Sequence, residues 1–133
     1  MITHSPSQAQ QIWTIQMSQW RLARDSGVQF MDITVKSGNQ VFAPTWDNLR
    51  AYQDGRMTKE EYSSLYYNKV IASIKTHPQE WEQLLNHKKI ALACYCRAGD
   101  FCHRHLFSVL AVSYIQSKRQ KVEFMGELLP VSK

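Results

Sequence analysis

The sequence predicts one α/β domain over residues 1–133, with a largely parallel sheet flanked by helices, of the Rossmann-like nucleotide-binding type. Three observations carry this. β-branched and aromatic runs alternate along the chain with segments of helical periodicity, the order that parallel strands joined by crossover helices produce. The run KIALACYC (Lys89 to Cys96) lacks polar alternation, as a strand covered on both faces does. No repeat, Gly/Ser linker or low-complexity stretch divides the 133 residues, a length that buries a core without disulfides or metal staples.

The elements follow in order. IWTIQM (Ile12 to Met17) is β-branched and aromatic and forms a first strand. QWRLARDSG is a loop or short helical turn closed by Gly27, and VQFMDITV (Val28 to Val35) is a second strand. KSGN turns the chain, and Thr45 is placed to cap a short helix, WDNLRAYQDG, stopped by Gly55. Thr58 and Glu61 form a capping box. Behind them Tyr62, Leu65, Tyr66, Val70 and Ile74 recur at helical spacing as one apolar face. Pro78 ends that helix near His77 and starts another, PQEWEQLLN. After Lys89 to Cys96, a helix from about Cys102 to Lys118 is apolar over a wide arc (Leu106, Phe107, Val109, Leu110, Val112, Tyr114, Ile115), and KVEFM is a final strand.

Composition is that of a globular chain, 44% apolar and 20% charged. No segment has the length of a membrane span. The start, MITHSPSQAQQ, lacks the basic and apolar regions of a signal peptide. We therefore expect a cytoplasmic protein with reduced thiols, since three clustered cysteines do not make a secreted disulfide framework. The net charge of +5 and the pI of about 9.2 bias the chain mildly towards anionic partners. Its dense basic cluster, SKRQK, sits at a helix end, where such residues complement the helix dipole.

All three cysteines fall within ALACYCRAGDFCHRHLF. In an open parallel sheet, ligands bind beyond the carboxyl ends of strands, where loops lead into helices. CRAGDFC is such a loop. Its backbone amides and the head of the next helix suit an anion, Gly99 permits backbone conformations closed to other residues, and Arg97 and Arg104 offer planar forks for phosphate. The loop after the second strand delivers Asp32, Thr34, Lys36 and Ser37 to the same edge.

Four readings compete for this stretch. Cys94, inside the apolar run, reads as a small buried residue. Cys94, Cys96, Cys102 and His103 are ligand types that zinc accepts, although Cys94 and Cys96 are two apart and there is no paired C-x₂-C knuckle. Cys96 or Cys102, beside Arg and His at a helix head, has a favoured thiolate and is a candidate nucleophile. A tyrosine-phosphatase loop fits poorly, because position 102, six after Cys96, is Cys and position 100, six after Cys94, is Asp. The fourth reading is a phosphate or nucleotide pocket that the cysteines only shape. Of His103 and His105, two apart on a helix, at most one faces that pocket, and His103 is nearer the loop. Trp20 and Trp46 follow strand ends and default to packing.

LACYCRAGDFCHRHLF resembles the C-terminal signature of the domain of unknown function 488 family: an apolar strand ending in Cys, a polar loop, and Cys-His-Arg at a helix head. The match falls on Cys96, Cys102, His103 and Arg104. MDITVKSGNQVFAPTWDNL resembles the family's early strand, with its Asp at Asp32. Similar small chains occur in bacteria and phages. The resemblance implies an α/β fold of nucleotide-binding type and a two-loop pocket, and implies no established reaction. Many members carry an Arg-rich stretch after the Asp, whereas this chain has ITVKSG.

The leading expectation is a small protein that binds, and in one version hydrolyses or transfers, a nucleotide-like or other phosphorylated ligand. Lys36, Ser37, Arg97, Gly99 and Arg104 would bind it. Asp32 would act as general acid or base, with Cys96, Cys102 and His103 as the remaining catalytic candidates. No cofactor and no membrane partner are expected. The alternatives are a non-enzymatic module for nucleic acid or protein, of phage or bacterial type, and a zinc-stabilised domain.

Overall fold

Among the described residues, four parallel strands form one sheet in the order β2-β3-β1-β4. They are β1 (Gln10–Gln16), β2 (Gln29–Asp32), β3 (Lys89–Cys94) and β4 (Val122–Glu127). The structure is a computed structural model and describes residues 9–96 and 101–130. Within these residues, five α-helices connect the strands: α1 (Trp20–Asp25), α2 (Trp46–Gln53), α3 (Lys59–Thr76), α4 (Pro78–Glu82) and α5 (His103–Ser117). Single 3₁₀ turns precede α1 and follow α4. The α/β architecture with a parallel sheet is thus as the alternation of segments predicts. Among the described residues, no helix is long and apolar enough to cross a membrane.

Strand order explains which face each helix covers. The chain crosses the sheet in one direction from β1 to β2, and in the other from β2 to β3 and from β3 to β4. Right-handed crossovers then require the first connection on one face and the later ones on the opposite face. The packing agrees. Ile15, Ala91 and Ala93 face α1 through Ala23 and the adjoining Val28. Ile12, Ile90 and Leu92 face Tyr66 and Val70 of α3, Trp81 of α4, and Phe107, Ala111 and Ile115 of α5. β3, central and fully covered, is buried at every position after Lys89.

Local chemistry sets the helix ends. The Thr58 side chain accepts from the Glu61 amide while Glu61 accepts from the Thr58 amide, so α3 begins with both halves of its capping box. Thr45 caps α2 by accepting from the Asn48 amide. Gly27 and Gly55 have φ of +72° and +76°, conformations in which a Cβ is penalised.

Several expectations need correction. β2 ends at Asp32 rather than Val35. The Asp32 carboxylate accepts from the Thr34 amide, and the Gly38 amide donates to the Thr34 carbonyl, so local bonds replace the ladder. β3 ends at Cys94, two residues early, and β4 continues to Glu127. On α3 the buried set is Tyr62, Tyr66, Val70 and Ser73, while Leu65 and Ile74 lie exposed. The Ser73 hydroxyl is buried because it accepts from Trp81 Nε1 at 2.7 Å and donates to the Val70 carbonyl. On α5 the buried arc takes in Arg104 and Ser108, while Val109 faces out.

The connection from β2 to α2 lies over the carboxyl edge and is pinned from beneath. Tyr66 donates its hydroxyl to the Phe42 carbonyl at 2.7 Å. Lys69 Nζ donates to the carbonyls of Gln40 and Ala43, each at 2.6 Å. Burial lowers the Lys69 pKa from its ordinary value, and the two carbonyls stand in for the lost water.

Candidate functional site at the carboxyl edge of the sheet

β1 and β3 are neighbours, yet the chain leaves β1 towards one face and β3 towards the other. Such a switch point opens a crevice at the carboxyl ends of the strands. Beside it lie two groups of side chains, one at the end of β3 and one after β2.

The first group is the cysteine cluster. Cys94 ends β3, Cys96 follows two residues later, and Cys102 is the N-cap of α5. Their three sulfurs lie within 4.8 Å of one another. Cys94 and Cys102 are buried and joined as a disulfide whose Cα atoms are 7.7 Å apart; Cys96 is half-buried. The pairing differs from the expected three reduced thiols. It arises because Cys102, at the head of α5, lies beside Cys94 at the end of β3.

Arg104 lies within this group, with 0% of its surface exposed. Its Nη1 donates to Cys94 Sγ at 3.1 Å and to the Cys96 carbonyl at 2.9 Å. Its Nε and Nη2 donate to the two carboxylate oxygens of Glu127 at 3.3 and 3.2 Å. Thr14 on β1 donates to Glu127 Oε1 at 2.6 Å. Expected as an anion-binding residue, Arg104 instead directs its fork at an internal carboxylate and a sulfur.

His103 is also buried. Nε2 sits 2.7 Å from the Ile33 carbonyl, and Nδ1 sits 3.7 Å from Cys102 Sγ. Burial holds its pKa down to about 4, against the bond to Ile33, with the Arg104 charge adding to the depression. The neutral ring therefore carries its hydrogen on Nε2, because a carbonyl only accepts, and leaves a lone pair on Nδ1 facing the cysteine.

The second group follows β2. Asp32 accepts from the Thr34 amide through Oδ1 at 2.9 Å and from the Ser37 hydroxyl through Oδ2 at 2.5 Å. Ser37 Oγ is also 3.1 Å from Thr34 Oγ1 and from Tyr95 Oη. Lys36 Nζ lies 5.5 Å from the centre of the Tyr95 ring. Gly38 passes so close that a Cβ there would overlap the Asp32 carbonyl oxygen and Oδ1. Asp32, Lys36 and Ser37, chosen from sequence, are thus brought together, and Tyr95 links them to the cysteine loop. Arg97 and Gly99 lie outside the described residues.

Sequence reasoning missed Tyr95, Glu127 and the Ile33 carbonyl; Cys94, read as a small buried residue and also named among the zinc-type ligands, is buried. Tyr95 had one visible signal, its position between two clustered cysteines at a strand end. Glu127 had none, because its partner arrives only through the parallel pairing of β4 with β1. An aromatic group borders the same loop: Phe101 meets the rings of Tyr52 and Tyr62 at centroid distances of 5.6 and 6.1 Å, with Lys59 Nζ 4.6 Å from its own.

A search of curated proteins and of solved structures found no match. A scan of protein families matched residues 3–113 to DUF488-N3a, described as the active DUF488-N3 subclade. With both motif regions, the Asp32 strand and the Cys-His-Arg helix head, inside that span, the chain belongs to the DUF488-N3a family.

Proposed function

We propose that this protein is a zinc-stabilised α/β module in which Cys94, Cys96 and Cys102 hold the ion and fasten the end of β3 to the head of α5. The observation that carries the reading is the convergence of three sulfurs within 4.8 Å. Thiolates are favoured ligands of zinc, which forms closed tetrahedral structural sites with Cys and His. The 7.7 Å between the Cα atoms of Cys94 and Cys102 is wider than the roughly 4.4–6.8 Å usual for a disulfide. An ion between the sulfurs needs no such short span. Zinc binding requires the pair to be reduced, and its binding free energy then adds to folding stability.

The test is the metal content of protein purified under reducing conditions, with chelator titration followed by melting temperature. About one zinc per chain and a lower melting temperature on chelation are expected. Cys94→Ser, Cys96→Ser and Cys102→Ser should each lose the metal. Reduced protein that takes up no zinc overturns the reading.

A second reading concerns the other group at the edge. Asp32, Ser37, Tyr95 and Lys36 lie together beside the switch point, which supports a site for a nucleotide-like or other phosphorylated ligand, with Asp32 as proton acceptor. The description of the family as an active subclade fits a site of this kind. The likeness to nucleotide-binding folds is one of edge geometry, since the order β2-β3-β1-β4 lacks the 3-2-1 run of the Rossmann fold. A melting-temperature rise with a phosphorylated compound that is lost in Asp32→Ala would support it. No rise with nucleotides, cyclic dinucleotides and sugar phosphates would count against it.

A further inference from the structure

We infer that the three cysteines form a thiol–disulfide exchange site, in which Cys96 is the sulfur through which low-molecular-weight thiols and their disulfides reach the buried Cys94–Cys102 bridge. The inference goes beyond the zinc reading, because it concerns the oxidised cluster and needs no metal. Cys94 and Cys102 are 1% and 3% exposed, so an external thiol meets almost no surface of either bridged residue. Cys96 is half-buried and keeps its thiol outside the bridge. Its sulfur lies within 4.8 Å of both bridged sulfurs, so a side-chain rotation suffices to bring it into contact. Exchange proceeds by attack of a thiolate on a disulfide sulfur, and access decides which sulfur takes part.

The surroundings of the bridge select the sulfur that leaves. Cys94 Sγ accepts from Arg104 Nη1 at 3.1 Å and from the Cys96 amide at 3.4 Å. Hydrogen bonds to an acceptor strengthen as it gains charge. Cys102 Sγ instead faces His103 Nδ1 at 3.7 Å, the lone-pair side of that ring. The two N–H donors therefore favour departure of Cys94.

In the first step the Cys96 thiolate bonds to Cys102 Sγ, the Cys94–Cys102 bond breaks, and Cys94 leaves with the electron pair. Cys96 has given up one proton and Cys94 takes one up. In the second step an external thiolate bonds to Cys96 Sγ, and Cys102 leaves with the electron pair and gains a proton. A second external thiolate then removes the first from Cys96 as an external disulfide. The sum converts two external thiols and the bridge into one external disulfide and two cysteine thiols. The reverse sequence oxidises the cluster. The reduced form is the one that zinc binding requires, so the same route governs entry of the metal.

The test uses the full chain, oxidised and kept metal-free by chelator, with reduced glutathione as the probe. Acid-quenched samples are mapped by tandem mass spectrometry. The expected result is a glutathione mixed disulfide on Cys96, none on Cys94 or Cys102, and loss of the bridge. Cys96→Ser should slow reduction of the bridge by about tenfold or more, because an intramolecular thiol of high effective concentration is lost. Glutathione found on Cys94 or Cys102 overturns the route, and so does a Cys96→Ser chain reduced at the unmutated rate. A bridge that yields only after denaturant is added also overturns it, as does a chain that forms no Cys94–Cys102 bridge in oxidised glutathione. The mixed disulfide is located on unmutated protein, so a Cys96→Ser chain that fails to fold does not blunt the test. Zinc uptake by the reduced chain is measured separately, and its absence removes the zinc reading alone.

Discussion

Glu127→Ala should be among the most destabilising substitutions in this chain. The carboxylate is the ionic partner of Arg104, whose side chain is 0% exposed, and is itself 14% exposed. Removing one member of a buried pair leaves the other charge uncompensated, at a cost of about 3–5 kcal/mol. Arg104 keeps its bonds to Cys94 Sγ and the Cys96 carbonyl, which argues for the lower end, about 3 kcal/mol. Thr14 also loses its acceptor, the carboxylate oxygen at 2.6 Å. Against a total stability of roughly 5–15 kcal/mol, such a loss would lower the melting temperature by about 10 °C. Urea denaturation should show a lower midpoint with an unchanged slope. Replacing both partners, as Arg104→Met with Glu127→Leu, should recover most of the loss, since an apolar pair of similar volume removes both buried charges. A Glu127→Ala chain destabilised by less than about 1 kcal/mol would refute the reasoning, because it would mean Arg104 is solvated.

Three further outcomes follow from the same kind of argument. Lys69→Met should cost about 1–3 kcal/mol, because the carbonyls of Gln40 and Ala43 lose their donor; faster hydrogen exchange confined to the β2–α2 connection would confirm the site of the effect, and a neutral change would refute it. Gly38→Ala should displace the Asp32 loop and destabilise by about 1–3 kcal/mol, since its Cβ has no room beside Asp32; unchanged amide shifts at Thr34 and Ser37 would refute the close approach. Thr58→Ala should cost about 1 kcal/mol and Thr58→Ser much less, as measured by urea midpoint; equal effects would show that the capping oxygen is not what matters.

What the sequence made legible was local or periodic. The start of α3 could be read because Thr58 and Glu61 bond to each other's backbone three residues apart. The parallel sheet could be read because β3 carries an apolar residue at every position after Lys89, which only double coverage allows. Long-range pairings were not legible. Arg104 looked like a surface fork for an anion because Glu127, its partner, lies on a strand that seemed to stop at Met125. β2 looked longer than it is, because Ile33 and Val35 favour strands while Asp32 captures the Thr34 amide. For the site, the wiring between residues was hidden: the bond between His103 and the Ile33 carbonyl spans 70 positions and leaves no trace in either segment.

The tie between Arg104 and Glu127 also bears on how the chain comes into being. β4 is made after the other three described strands, and it pairs with β1, made before them. Until β4 docks, Arg104 lacks the Glu127 carboxylate that accompanies it into the interior, so the head of α5 settles against β3 at full burial only afterwards. Closure of the ends therefore comes late, as pairings of large sequence separation generally do. The cysteines stay reachable by solvent, metal and oxidant until β4 docks. Their chemical fate is decided in the interval before β4 takes its place.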